Sequence, residues 1–113
     1  MKINNLTTDT TLSKKSDSIY ELDLGEVKKG GKGVGQLEFV CEKEVDFIKT
    51  TVSCSSCTKA NYVRDELKEF VINITFTGSG LGSISKNVRV SYRTLGSTVT
   101  EVITINLRGN VVK

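Results

Sequence analysis

Two cysteines separated by two residues are the sharpest chemical feature of the sequence, in the segment Cys54-Ser55-Ser56-Cys57. Thiolates at this spacing bind zinc when two further ligands lie nearby, usually a second such pair or two histidines. The chain has one more thiol, Cys41, and no histidine, so a zinc site would need a carboxylate such as Asp65 or Glu66. An isolated pair is a weak metal signal, and we expect neither a metal ion nor another cofactor.

Other interpretations of the three cysteines stay open at this point. A thioredoxin-like redox role needs a βαβ setting and normally a cis-proline, and the chain has no proline. A local disulfide between Cys54 and Cys57 belongs to an oxidising compartment and leaves Cys41 unpaired. The interpretation we favour makes Cys41 a small core hydrophobe and the other two cysteines loop-shaping residues at a strand end.

The composition excludes most catalytic chemistry. Without histidine there is no Ser-His-Asp or Cys-His machinery and no imidazole base. The glycine-rich segment Gly30-Gly31-Lys32-Gly33-Val34-Gly35 lacks the spacing of phosphate loops and dinucleotide-binding loops. We interpret it as a turn, and Gly78, Gly80 and Gly82 as turn residues with positive φ. We therefore predict a protein that is not an enzyme and has no small-molecule substrate.

The elements that must position these residues are strands. Val, Ile and Thr together number 34 of the 113 residues, and alanine occurs once. β-branched side chains fit a pleated sheet and lose rotamer freedom in a helix. Apolar and polar residues alternate between glycine-containing turns from Ile19 onward, which predicts half-buried antiparallel strands packed as a sandwich or barrel.

The alternation also predicts which side chains share a face. It places Ile48 with Thr50 and Val52, and Val99 with Ile103. Gly25 is expected to end the first of these strands. Only Lys59–Lys68 has roughly helical apolar spacing, and we expect a loop or a single helical turn there. The predicted core between the sheets consists of Phe39, Phe70, Ile72, Ile74, Phe76, Val88, Val90, Ile103, Ile105 and Leu107.

The net charge of +3 is too small to indicate a nucleic-acid-binding protein. Residues 70–113 nevertheless carry five basic residues against Glu101 alone. This half offers a basic face, which is either an ordinary solvated surface or one suited to an acidic protein. No stretch approaches the ~18 consecutive apolar residues that span a bilayer. We expect no nucleic acid and no membrane as partners.

Four short segments carry a resemblance to a known family. The segment 24–30 (Leu-Gly-Glu-Val-Lys-Lys-Gly) is followed by Leu37-Glu38-Phe39, and strand 48–52 runs into Ser53-Cys54-Ser55-Ser56-Cys57-Thr58. With the closing stretch 103–109 ending in glycine, this order resembles the bacterial domain family of unknown function 1573 over about residues 19–112. The resemblance implies an immunoglobulin-like sandwich related to ASH and pilus-chaperone-like domains, in proteins that are often exported.

The chain departs from that family in two respects. Its cysteines are separated by two residues where the family has one, and it lacks the usual Pro-Gly turn because it has no proline. The role of the family's cysteine pair is therefore not transferred to this chain.

We predict two parts, a polar N-terminal arm over residues 1–18 and an immunoglobulin-like β-sandwich of about seven strands over residues 19–113. The arm cannot fold alone, so it needs the domain's own edge or a neighbouring subunit to order it. The residues expected to make its contacts are Ile3, Leu6, Leu12, Lys14 and Lys15.

The predicted function is that of a structural or interaction module. The N-terminus lacks the apolar run of a secretory signal, so we expect use without export. An auxiliary (decoration) protein on a bacteriophage capsid or similar virion assembly fits best, with localisation in the virion and other virion subunits as partners. The alternatives are an exported envelope or adhesion module at the bacterial periplasm or cell surface, and a cysteine-based metal-binding or redox protein.

Overall fold

The computed structural model describes the backbone of all 113 residues and every side chain except those of Arg64 and Asp65. Over this described chain the fold is all-β, with two packed sheets, which confirms the predicted sandwich. The strands number nine rather than about seven. They are β1 (Lys2–Asn5), β2 (Thr11–Lys14), β3 (Ile19–Lys28), β4 (Lys32–Val40), β5 (Val45–Val52), β6 (Thr58–Glu66), β7 (Glu69–Thr77), β8 (Gly82–Thr94) and β9 (Glu101–Val112).

One sheet has four strands in the order β1-β4-β7-β6, and the other has five in the order β2-β3-β9-β8-β5. Neighbouring strands are antiparallel except β3 and β9, which pair in parallel, with Tyr20 opposite Ile105. Residues 1–18 supply an edge strand to each sheet, since β1 pairs with β4 and β2 pairs with β3. The described residues include no helix long and apolar enough to cross a membrane.

The core lies between the sheets and is built by the residues that alternate inward. All ten predicted core residues are at most 5 % exposed, which confirms that prediction. Phe39 and Phe70 stack at its centre, with ring centroids 4.7 Å apart. Tyr20, Leu22 and Leu24 of β3 complete the core from the opposite sheet. Burial of one such side chain contributes roughly 1.5–3 kcal/mol to stability.

The segment predicted as a loop or helical turn at Lys59–Lys68 is mostly strand β6, so that prediction is wrong. Thr58, Ala60 and Tyr62 alternate inward along β6, and pairing with the buried strand β7 overrides the weak helical spacing. The register between β6 and β7 shifts once, just before Glu66 and close to the turn into β7.

Two predicted strand faces are also wrong. Ile48 lies at a β-bulge between Phe47 and Lys49, and its side chain is 40 % exposed instead of facing inward. A bulge inserts one unpaired residue and so reverses the alternation on either side of it. Val99 precedes β9 and is 61 % exposed, so it does not share the face of Ile103.

The glycines divide between turns and close packing. Gly25 does not end β3, because it forms a bulge inside the strand at φ +69°. Gly33 and Gly35 lie within β4 rather than in a turn, and a Cβ at Gly35 would come within 2.6 Å of Leu22. Of the three glycines predicted to have positive φ around residue 80, only Gly82 has it.

Candidate functional site

The two long sides of the sandwich differ in how they are closed. On the side bordered by β5 and β6, the rings of Phe47 and Tyr62 stack with centroids 3.9 Å apart and an interplanar angle of 12°. The Thr50 hydroxyl donates a hydrogen bond to the Ala60 carbonyl across the same gap, at 3.2 Å. Side chains therefore bridge the two sheet edges and exclude water from this side of the core.

The opposite side is bordered by β1 and β2 and contains a groove of about 260 Å³. We call it the N-terminal groove. Ile3 and Leu12 are half-buried there and pack against the core between the sheets, and buried Tyr20 forms part of the wall. The residues that line the N-terminal groove are Met1, Lys2, Ile3, Leu12, Lys14 and Tyr20.

The outer edge of β2 presents backbone groups that β3 does not use. The Lys15 amide donates to the Ile19 carbonyl at 2.9 Å, just beyond the end of β2. In an antiparallel pair, residues alternate between bonding the neighbouring strand and facing away from it. By this alternation Ser13 faces Glu21 of β3, and the N–H and C=O of Leu12 and Lys14 point out of the sheet.

The edge of β1 is arranged in the same way. The Leu6 amide donates to the Gln36 carbonyl at 2.9 Å, so the backbone groups of Ile3 point away from β4. The link between β1 and β2 is fixed locally, because the Gln36 amide donates to the Thr7 hydroxyl at 2.7 Å. The N-terminal groove thus lies between two edge strands with outward-directed backbone.

Basic side chains surround this groove. Lys2 and Lys14 line it, and Lys15 follows directly after β2 with its side chain exposed. Lys14 lies 3.4 Å from the Asp17 carboxylate, but that pair is solvent-exposed and contributes little to stability. The Lys14 ammonium is therefore available to a competing carboxylate.

Of the five residues predicted to make contacts, the structure brings three together in the groove: Ile3, Leu12 and Lys14. Leu6 lies in the link between β1 and β2 and is 46 % exposed, outside the groove lining. Sequence reasoning missed Tyr20 as part of the groove. Its alternation with Leu22 predicted burial, but nothing in the sequence placed it beneath an edge strand.

The three thiols are not brought together. Cys41 follows β4 and is 8 % exposed, whereas Cys54 and Cys57 follow β5 at the other end of the sandwich and are joined by a disulfide. Burial raises the pKa of the Cys41 thiol, which makes it a poor metal ligand and nucleophile at neutral pH. Of the two carboxylates considered as ligands, the Asp65 side chain lies outside the described residues and Glu66 ends β6, away from Cys54.

No group of three or more metal-ligating side chains occurs among the residues that the structure describes. Cys41 and Tyr92 line a cavity of about 190 Å³ at the end of the sandwich where β4 finishes. Burial, with smaller effects from Cys41 and Glu101, raises the pKa of Tyr92 to about 12. Both groups stay protonated and neutral near pH 7, so neither of them serves as a general base in this cavity.

No protein-family model and no curated protein matches this chain. Among solved structures it is similar to the ASH / PapD-like domain of human CEP192 (PapD-like domain 7), at 12% sequence identity and a TM-score of 0.55. The similarity covers 94% of this chain and 87% of that chain. It confirms the immunoglobulin-like fold of the ASH/PapD type, while membership of the domain family 1573 stays a prediction.

Proposed function

We propose that this protein is a non-enzymatic protein-binding module that takes an extended segment of its partner along β2, in the N-terminal groove. The observation that carries the proposal is the difference between the two sides of the sandwich. One side is bridged by the Phe47–Tyr62 stack, and the other presents outward-directed backbone beside an apolar groove. An unpaired strand edge next to a hydrophobic groove is the usual setting for strand addition.

The mechanism follows from strand geometry. A partner strand added to β2 would bond the outward N–H and C=O groups of Leu12 and Lys14. Every second side chain of that strand would point toward Ile3, Leu12 and Tyr20, and aliphatic residues fit there. Carboxylates of the partner would lie beside Lys2 and Lys14. The segment we propose therefore alternates aliphatic residues with polar ones, some of them acidic.

The assembly we propose as partner is a bacteriophage capsid or similar virion shell, with the protein located in the virion. Docking by one long side leaves the outer faces of both sheets exposed to solvent, which suits a subunit that decorates a surface. The 12.4 kDa chain is small enough to bind in many copies without covering the shell.

A second candidate has one specific observation in its favour. Disulfides persist in oxidising compartments, and Cys54 and Cys57 are joined by one in this structure. An exported module of the bacterial envelope or cell surface would keep that bond, whereas a virion protein made in the cytoplasm would have to acquire it after release. In this case the same groove would bind an envelope protein.

The test places a photo-crosslinking amino acid at Lys14, which borders the groove, and as a matched control at Arg89, on the outer face of the five-stranded sheet. We expect a cross-linked product from Lys14 only. Mass spectrometry of the product identifies a shell protein if the virion proposal is right, and an envelope protein if the alternative is right. Equal cross-linking from both positions, or none from Lys14, would contradict docking at the N-terminal groove.

A further inference from the structure

One end of the sandwich is formed by the β3–β4 turn, the β5–β6 loop, the β7–β8 turn and the end of β9. Backbone hydrogen bonds hold these segments together. The Lys29 amide donates to the Val112 carbonyl at 2.7 Å, and the Gly30 amide donates to the Gly78 carbonyl at 2.7 Å. The same turn that follows β3 is thus bonded to the last strand and to the β7–β8 turn.

This end carries an excess of positive charge. The segments that form it are residues 27–36, 53–61, 76–87 and 109–113, and they contain no Asp or Glu. We call it the lysine end. Its lysines are Lys28, Lys29, Lys32, Lys59, Lys86 and Lys113. Two carboxylates, those of Asp9 and Glu26, border this end in a pocket beside Lys32. The six lysines outnumber them, so the potential at this end is positive and attracts anionic partners.

A groove of about 280 Å³ opens in the middle of the lysine end. Buried core side chains form its floor: Phe76, Ile84 and Val111. Leu81, on the β7–β8 turn, stands at its rim and is 54 % exposed. The end of the hydrophobic core is therefore reachable from solvent, through an opening large enough for an aliphatic side chain.

Lys86 lies in the wall of this groove at a position where the strand pattern calls for an apolar residue. It falls between Ile84 and Val88 on the inward face of β8, and it pairs with Leu107 of β9. Its side chain is half-buried and forms no ion pair or hydrogen bond with any side chain that the structure describes. A lysine stem that lies along apolar surface directs its ammonium to the nearest water, here the groove.

We propose that the lysine end binds an acidic segment of a partner protein, with an aliphatic side chain in the groove and a neighbouring carboxylate on the Lys86 ammonium. The outer lysines would then attract the remaining acidic residues of that segment. This site lies apart from the N-terminal groove and is independent of it. Charge-assisted hydrogen bonds inside a partly desolvated groove are stronger than exposed ion pairs.

Two other anionic partners fit this geometry less well. A membrane surface would reach Leu81 and the outer lysines but not the concave floor at Ile84 or the ammonium of Lys86. A nucleic acid offers phosphates and planar bases, and its single-stranded binding sites use exposed aromatic rings. Phe76, the aromatic residue in the groove lining, is only 5 % exposed.

The experiment titrates an end-capped peptide, Asp-Leu-Glu-Asp-Glu, into the ¹⁵N-labelled full chain at low ionic strength. We expect amide shifts over residues 54–57 and 78–86, and an affinity that falls with added salt. Lys86→Met should weaken binding about tenfold, because one charge-assisted hydrogen bond is lost. Lys86→Arg should retain binding, and Lys49→Met, at an exposed lysine of β5, should leave it unchanged.

Four outcomes would overturn the proposal. They are an absence of shifts at these residues, equal affinity of Lys86→Met and Lys49→Met, equal binding of a peptide with glycine in place of leucine, and tighter binding of oligothymidylate than of the peptide. Binding to phosphatidylserine vesicles that is lost in Leu81→Ser but kept in Lys86→Met would replace the proposal by a membrane contact. Circular dichroism of each variant shows whether the sandwich is retained.

Discussion

Phe47 of β5 and Tyr62 of β6 stack face to face across the gap between the two sheets, with ring centroids 3.9 Å apart. Both rings also contact Phe70, at centroid distances of 6.1 and 5.6 Å, so the pair continues the central aromatic cluster to the surface. The contact makes one side of the sandwich part of the core and leaves the N-terminal side as the open one. The proposed docking geometry depends on this difference.

Replacing Tyr62 with alanine should destabilise the fold by about 2–3 kcal/mol, because it removes a half-buried ring and leaves Phe47 without its stacking partner. Val63→Ala is the matched control, since Val63 is the next residue on β6 and faces solvent at 50 % exposure. Its effect should stay within about 0.5 kcal/mol. Urea denaturation measures both values, and similar values for the two variants would contradict the role given to the stack.

Gly35→Ala should destabilise the protein by about 1–3 kcal/mol, because overpacking forces neighbouring side chains out of their rotamers. A Cβ at this position would lie 2.6 Å from Leu22 Cδ2, in the narrow space between β3 and β4. Gly80→Ala provides the comparison. No atom lies within 4 Å of its Cβ position and its φ is not positive, so alanine there should be neutral or slightly stabilising. Thermal unfolding of the two variants distinguishes a packing requirement from a general intolerance of alanine.

The free energy of unfolding should fall in alkaline solution because two buried acidic groups, the Tyr92 phenol and the Cys41 thiol, resist ionisation in the folded state. Burial raises the pKa of Tyr92 from 10.0 to about 12 and raises that of Cys41 above 9.0. A group whose pKa is higher in the folded state contributes its stability in full below the unfolded pKa and loses it as pH rises through the folded pKa. The free energy of unfolding should therefore begin to fall near pH 9, with the Tyr92 contribution lost between pH 10 and 12.

Tyr92→Phe removes the contribution of Tyr92 to the alkaline loss of stability. Urea titrations at several pH values above neutral should show a smaller alkaline loss of stability in this variant than in the parent protein. Parallel pH curves for the two proteins would show that Tyr92 does not titrate with a raised pKa in the folded state.

How much the sequence predicted depends on which physical signal each residue carries. Period-two alternation is local and strong, and it predicted burial of residues such as Ile72 and Ile105. The prediction of a loop or helical turn at Lys59–Lys68 was wrong because the apolar pattern of this segment is weak. Its strand forms by pairing with β7. The predicted face of Ile48 was wrong for a related reason. The bulge at Ile48 adds one unpaired residue to the strand, which changes the face of the side chain without changing the composition of the segment.

The candidate site was predicted only in part, because the local sequence pattern around its residues does not show which other parts of the chain they contact. Ile3 and Leu12 are isolated apolar residues in a polar segment, so the sequence predicted that they contact an apolar surface but did not identify that surface. In the structure they contact the core of the same domain. Charge alone groups Lys86 with the other basic residues of the C-terminal half. Its inward position in β8 becomes visible only when Ile84 and Val88 are placed on the same face.

Lys14→Pro should abolish binding to the partner assembly and leave the fold intact. By strand alternation the Lys14 amide points away from β3, so proline removes only an outward donor, and its ring obstructs the approach of an added strand. Lys14→Ala removes the charge but keeps the amide, so it should weaken binding only modestly. Co-sedimentation with purified shells or envelope fractions, together with circular dichroism, measures binding and folding separately. If Lys14→Pro and Lys14→Ala lose binding to the same extent, the partner uses the lysine charge and not the backbone edge of β2. Full binding by a folded Lys14→Pro variant would place the contact outside the N-terminal groove altogether.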